Sequence, residues 1–341
     1  MEDDPPEVDN SKPLASSFSI HDACEITAIE PSRIRFIEQE FKEFFPGLTH
    51  GAGFNQAELD LMGEIHERIF RKGERPDDVR RELRGKREGF RTIAVTSGKG
   101  GVGKTTVSIN LAIALSRAGR RVLLCDADMG LGNVHVFAGI SPRGTLMDLL
   151  EGKAAAEQIL SPGPDGMQVL CNASGSSRLA EIDPRALERL LRELERIGKS
   201  FDILLIDTGA GISPHVTQFL AAADDIVIVT TPNIASTLDA YGVIKVSREA
   251  RMRGRLHVVV NQAEDEKQSQ AVYEKISGCA ERFLGGRPSN LGWLARDPAV
   301  EEANQARTPL LSSRPEHPNA RKLQQMAGAL SAAGAPSRAA A

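Results

Sequence analysis

Cysteine is scarce in this chain. Its four residues, Cys24, Cys125, Cys171 and Cys279, are widely scattered with no CxxC pair, which fits reduced thiols rather than a disulfide framework or zinc site. Long apolar runs are missing too. None approaches the ~20 residues of a bilayer span, which excludes an integral protein built on spanning helices. Charge of one sign is also lacking: Lys+Arg of 42 against Asp+Glu of 46 leaves a formal charge of −4. No positive field over the whole molecule advertises nucleic acid, so any DNA contact must be local. The opening Met1-Glu2-Asp3-Asp4-Pro5-Pro6 lacks the basic-then-apolar order of a signal peptide, and a cytoplasmic location is expected. What is present is ordinary for a globular protein: 341 residues, 41% hydrophobic and 26% charged. At ~150 residues per domain this length suggests about two domains.

Composition places the boundary. Residues 1–17 are acidic, carry Pro and Ser, and offer almost nothing to bury, so they read as a disordered tail. Residues 18–88 form a helical pattern that ends in a charged, Gly-terminated stretch suited to a linker. From 90 to 330, short β-rich runs at 92–95, 121–125, 167–171, 203–206, 226–230, 256–260 and 291–294 alternate with helical stretches. The clearest of those helices cover 105–117, 184–197, 236–251 and 271–283. This alternation predicts an α/β fold, a mostly parallel sheet flanked by helices, with ligands at the carboxyl ends of its strands. Residues 331–341, rich in Ala, read as a frayed tail.

After the first strand comes Ser97-Gly98-Lys99-Gly100-Gly101-Val102-Gly103-Lys104-Thr105-Thr106, which satisfies GxxxxGK[ST] between a strand and a helix. Glycines let successive backbone N–H groups curl around a phosphate, and the following helix presents its positive end to the same anion. Residues 98–106 are therefore the candidate nucleotide cradle. Lys104 is placed to bridge the β- and γ-phosphates of ATP, and the Thr105 hydroxyl to hold Mg²⁺. Asp207 ends an apolar strand before a glycine turn, as a Walker B carboxylate does, and is a second candidate for the metal through water. Lys99 is an additional lysine inside the loop. At ~4 Å from a phosphate oxygen it is worth roughly 4 kcal/mol at an effective dielectric of ~20, before desolvation.

At Lys99 the loop resembles the deviant Walker A sequence, KGGxGKT, of the MinD/ParA family of dimerising ATPases. The resemblance implies that Lys99 reaches across a homodimer interface to the partner's nucleotide. It also implies that Asp128, in Asp126-Ala127-Asp128-Met129-Gly130-Leu131-Gly132-Asn133, orients the attacking water, while Asp126 supports the Mg²⁺ shell. Asp207-Thr208-Gly209-Ala210-Gly211-Ile212-Ser213 and Thr230-Thr231-Pro232 followed by Leu238-Asp239-Ala240-Tyr241 are similar to the FlhG branch of that family, which sets flagellar number and position. By the same resemblance Asn261 reads the adenine edge and Asp297-Pro298 packs near the base. A turn-forming role is the alternative for Asn261.

Residues 18–84 resemble the winged helix-turn-helix of MerR-type regulators. Residues 19–24 begin the first helix, 29–38 hold the turn and recognition helix, and 45–55 stand where the wing would be. Ser32, Arg33 and Arg35 are then the candidate DNA-contacting residues. The wing lacks the expected arginine and the module is not basic overall. A helical protein-binding module with Arg33 and Arg35 on a solvated face is the alternative.

The resemblance implies a slow ATPase whose ATP-bound dimer and ADP-bound monomer position or count a polar structure, with an FlhF-like GTPase or another flagellar protein as partner. A ParA-type partition ATPase and an ATP-gated transcriptional regulator are the competing readings. Stable membrane binding is not expected, because residues 322–330 carry few bulky apolar side chains.

Overall fold

Ser19 and Asp22 start the first helix reciprocally. The Asp22 N–H donates to Ser19 Oγ at 3.2 Å, and the Ser19 N–H donates to the Asp22 carboxylate at 2.7 Å, a capping box that satisfies two otherwise orphaned donors. This helix, α1 (Ile20–Thr27), stops at Ala28 in the left-handed region, φ 54°. Pro31 then opens α2 (Pro31–Glu40) at its first turn, where a missing N–H costs nothing. A third helix, α3 (Gln56–His66), continues as a wider π turn over Glu67–Arg71. Gly73, φ 70°, follows it. Ala23, Ile34, Ile37, Phe41, Met62 and Ile65 bury a core between these helices. Arg80 ties a further helical segment, 76–80, to the end of α2 by donating to the Glu40 carbonyl and carboxylate.

The computed structural model describes residues 18–45, 54, 56–80, 83, 90–172 and 183–332, and the chain divides into two units between Arg87 and Glu88. The tail 1–17, the linker and most of the expected wing lie outside the described residues. Of that wing, Phe45 ends a short 3₁₀ turn, and Phe54 pairs with Phe18 in an isolated antiparallel bridge.

Runs such as Ile203-Leu204-Leu205-Ile206 are apolar on both faces, so they require cover on both sides. The second unit provides it. Its strands are β1 (Arg91–Ser97), β2 (Val122–Ala127), β3 (Ser161–Pro162), β4 (Gln168–Leu170), β5 (Ile203–Ala210), β6 (Asp225–Thr230), β7 (Arg255–Ala263) and β8 (Ser289–Ala295). They form one sheet in the order β3-β4-β2-β5-β1-β6-β7-β8, parallel except for β3. The longer helices are α4 (Lys104–Arg117), α5 (Pro184–Gly198), α6 (Pro214–Ala221), α7 (Ile234–Glu249), α8 (Glu266–Leu284), α9 (Pro298–Gln305) and α10 (Pro318–Ala332). The expected α/β architecture is therefore present.

Three of these helices, α6, α9 and α10, and the hairpin edge strand β3 go beyond the sequence expectations. Each of the three helices opens with proline, and Ser213 and Asp297 cap the first two, a start signal that short apolar periodicity had obscured. α10 also runs through Ser331 and Ala332, two residues into the segment expected as tail. It packs against α4 and β8, with Leu323, Met326 and Leu330 buried in the core. No helix among the described residues is long and apolar enough to cross a membrane.

At the amino edge of the sheet, Asp225 is fully buried and collects three cationic or polar partners. His257 Nε2 lies 2.8 Å and Arg255 Nε 3.0 Å from Oδ1, and Arg91 pairs with Oδ2. Burial alone would raise this carboxyl, but hydrogen bonds from His257 and Arg255 and the Arg91 charge hold it below the ordinary carboxylate value. Arg91 also donates to the Leu330 carbonyl, tying α10 to β1. Asp225→Asn leaves the buried Arg91 without its counter-charge and is expected to cost about 3–5 kcal/mol in urea unfolding at pH 7. Because the folded pKa is depressed, the wild-type advantage is present above pH ~4 and shrinks as pH falls through the folded value. A constant difference down to pH 3 would contradict the ionic origin.

Candidate functional site

Parallel strands deliver their carboxyl ends to one edge, and here that edge gathers Ser97, Asp126, Asp207, Asn261 and Ala295. Strand β1 lies between β5 and β6, so the chain leaving β1 enters the crevice where such folds bind ligands. The loop of residues 98–103 fills that crevice. Gly98 passes so close to α7 that a Cβ there would sit 2.4 Å from the Asp239 carbonyl. Gly103, at φ 86°, turns the loop into α4, a conformation that L side chains rarely adopt.

Register then sets two carboxylates side by side. Asp126 and Asp207 are directly paired positions on β2 and β5, and both side chains are buried. Asp207 has three partners from α4: Thr105 Oγ1 at 2.7 Å, Ser108 Oγ at 2.8 Å and Lys104 Nζ at 3.3 Å. Among the described residues, Asp126 accepts the Val134 N–H at 3.0 Å and the Asp128 N–H at 3.3 Å. Burial pushes its pKa up to about 7, and the neighbouring Asp207 charge adds to the shift. Among the described residues one ammonium, that of Lys104, thus stands against two buried carboxyls.

Asp128 is half-buried. Its Oδ1 accepts the Gly130 and Leu131 N–H groups at 3.1 and 3.2 Å, and a Cβ on Gly209 would lie 3.6 Å from the same oxygen. The turn after β2 therefore faces the carboxyl end of β5. Lys99 is exposed and lines an open cleft of about 370 Å³ with Thr231, Asn233 and Gln262.

A second cavity of about 260 Å³ opens between α4, α9 and the end of β8. Gly103, Thr106, Asn261, Asp297 and Asn304 line it. Asn261 Nδ2 donates to the Val102 carbonyl at 2.7 Å, so this side chain props the loop from behind. Asp297 caps α9 by accepting the Ala299 N–H at 2.9 Å. Pro298 occupies the first helical position and is not among the lining residues. Asn110, Arg296, Asn304 and Asn319 also line this cavity but carry no sequence expectation. Asn319 bonds both the N–H and the carbonyl of Ala295, and Asn110 accepts the Leu311 N–H. The start of α10 at Pro318 was the available signal for Asn319; nothing local marks the others.

In the first unit, Ser32 and Arg35 are exposed on α2. Arg33 is engaged within its own module: Nη1 lies 3.0 Å from His66 Nε2, and its guanidinium stands 5.0 Å over the Phe70 ring.

A glycine-lined loop at a helix start, an ammonium, a hydroxyl and paired carboxylates define an α/β protein of the phosphate-binding P-loop class. A family model described as an AAA domain matches residues 90–251. The antiactivator FleN of Pseudomonas aeruginosa is 38% identical over 62% of this chain and 76% of its own length. The flagellum site-determining protein YlxH of Helicobacter pylori is 32% identical over 70% and 81%. The septum site-determining protein MinD of Pyrococcus horikoshii, solved with Mg-ADP, superposes with a TM-score of 0.61 at 26% identity, covering 71% of this chain and 96% of that one. The chain belongs to the MinD/ParA family of P-loop ATPases, alongside FleN and YlxH.

The raised Asp126 carboxyl makes the nucleotide-free protein sensitive to pH. Between pH ~4 and 7 the folded state holds a proton that the unfolded state has lost, so stability falls as pH rises through this window. The slope for one such group approaches about 1.4 kcal/mol per pH unit. Urea unfolding without Mg²⁺ at pH 5, 6 and 7 is expected to show this decline in wild type and a flatter profile in Asp126→Asn. Parallel profiles would assign the slope elsewhere.

Proposed function

We propose that the protein is an ATP-dependent dimerising switch of the FlhG kind, regulating the number or placement of a polar structure such as the flagellum. The observation that carries this reading is the apolar surface around the phosphate loop. Among the described residues of the second unit, five large apolar side chains are exposed. Four of them lie on segments that follow the carboxyl ends of the strands, the edge where the phosphate loop also emerges: Leu131 after β2, Ile212 after β5, and Ile234 and Leu238 on α7, at 51 to 79% exposure. A lone soluble domain gains nothing from such a rim, whereas a second copy seated on it buries the apolar area.

In this reading residues 98–106 cradle the phosphates of ATP, with Lys104 as the central counter-charge. Thr105, Asp126 and Asp207 hold Mg²⁺. The donor set suits that ion, because Mg²⁺ takes one or two carboxylates and completes its shell with phosphate and water. Bound Mg²⁺ supplies the charge neutralisation that the two buried carboxyls and the phosphates share. Lys99, already outside the cluster, reaches the partner's nucleotide, and Asp128 orients a water for slow hydrolysis. Asn261 and Asp297-Pro298 flank the base. Stable membrane binding is outside this role, since the apolar residues of α10 are committed to the core.

Sedimentation velocity with Mg-ATP tests the switch. Wild type is expected to dimerise, Asp128→Ala to remain trapped as dimer, Lys99→Ala to bind ATP but stay monomeric, and Lys104→Ala to lose ATP binding. A Lys99→Ala dimer of wild-type strength would remove the cross-interface role.

For the first unit we favour a protein-binding role over DNA reading, because Arg33 is held by Phe70 and His66 while Phe36 and Phe70 stay 36% exposed. Ser32 and Arg35 remain the candidate contacts if DNA binds. Genomic DNA pools incubated with wild type and Arg35→Ala, with ATP or ADP, are expected to give equally low recovery; ATP-dependent, Arg35-dependent enrichment would establish the regulator or partition readings instead.

A further inference from the structure

Residue Asn304 lies 198 positions from Thr106 in the sequence, yet both polar atoms of its amide meet the same hydroxyl. Nδ2 is 3.2 Å from Thr106 Oγ1 and Oδ1 is 3.4 Å from it. Both residues line the cavity beside the loop, while Lys104 and Thr105 turn to Asp207 on the other side. Thr106 therefore stands where the loop meets that cavity. Asn304 sits near the end of α9, the helix whose start is capped by Asp297 at the same cavity.

A threonine hydroxyl has one proton to give and can accept from a donor at the same time. When the amide N–H donates to Oγ1, the shorter of the two contacts, the hydroxyl proton is free to point into the cavity. We propose that Asn304 is a nucleotide-positioning residue: it orients the Thr106 hydroxyl to donate to the phosphate nearest the sugar, and so couples α9 to the phosphate loop. This rests on the nucleotide reading above.

Charge polarity makes the proposal testable. A carboxylate at position 304 is acceptor-only, so it would take the Thr106 proton and keep the contact while denying that proton to a phosphate. It would also add a negative charge beside the phosphate chain. A purely structural contact is preserved by such a change; an orienting one is inverted.

The experiment is calorimetric titration of Mg-ADP into the full chain, with the melting temperature of the nucleotide-free protein measured alongside. Asn304→Ala and Thr106→Val are each expected to raise Kd by about tenfold, the scale of one lost hydrogen bond to a charged group. Their combination should be no weaker than the weaker single variant, since both break one contact. Asn304→Asp should bind more weakly than Asn304→Ala while melting like wild type. Asn304→Asp binding as tightly as Asn304→Ala, or tighter, overturns the proposal, and so do additive losses in the double variant. If Asn304→Ala fails to fold, Asn304→Asp is compared with Thr106→Val and the same ordering decides. Failure of the wild type to bind Mg-ADP would overturn the nucleotide reading itself.

Discussion

Two buried carboxyl groups, Asp126 and Asp207, occupy paired positions on adjacent strands, and burial together with the Asp207 charge raises the pKa of Asp126. The rest of the site is arranged around that charge. Lys104, Thr105 and Ser108 project from one face of α4 onto Asp207, which fixes where the helix starts and therefore how the glycine loop before it is bent. Asp126, left with two backbone donors, shapes the turn that carries Asp128. In the proposed function a cation held there would change the electrostatic balance of both turns at once. The apolar side chains Leu131 and Ile212 stand on those same two turns.

The cavity beside the loop is built differently, with four asparagines set among Arg296, Asp297 and Glu301. Asn110, Asn261, Asn304 and Asn319 tie α4, β7, α9 and α10 to backbone groups or to a neighbouring hydroxyl. Such bonds fix the geometry of the wall. The last helix is part of this construction. With Leu323, Met326 and Leu330 buried and the Leu330 carbonyl bound by Arg91, α10 contributes to the core of the fold and to the cavity through Leu323 and Asn319.

The first unit follows other rules. Its core is dense in phenylalanine, with Phe41, Phe44, Phe45 and Phe54 all buried, whereas the second unit is filled mainly by branched aliphatics. Among its described residues, Arg80 is paired with Glu40, Arg68 with Glu74 and Arg33 with an aromatic face, while Arg35 is exposed.

The sequence by itself determined the α/β alternation and the loop with its two lysines, because each depends on local pattern: apolar runs of strand length, and glycines at fixed offsets before a helix. Its resemblance to MinD/ParA ATPases could be read from the same short segments. Tertiary structure alone decided the neighbours. That Asp126 faces Asp207 follows from β2 pairing with β5, two strands whose closeness no local signal encodes. That Asn261 supports Val102, and that Asn304 meets Thr106, follows from the sheet bringing β7 and the segment after β8 to the loop after β1. The helices α6, α9 and α10 were obscured for a related reason: they are short or Ala-rich, and their apolar faces acquire meaning only against the sheet that buries them.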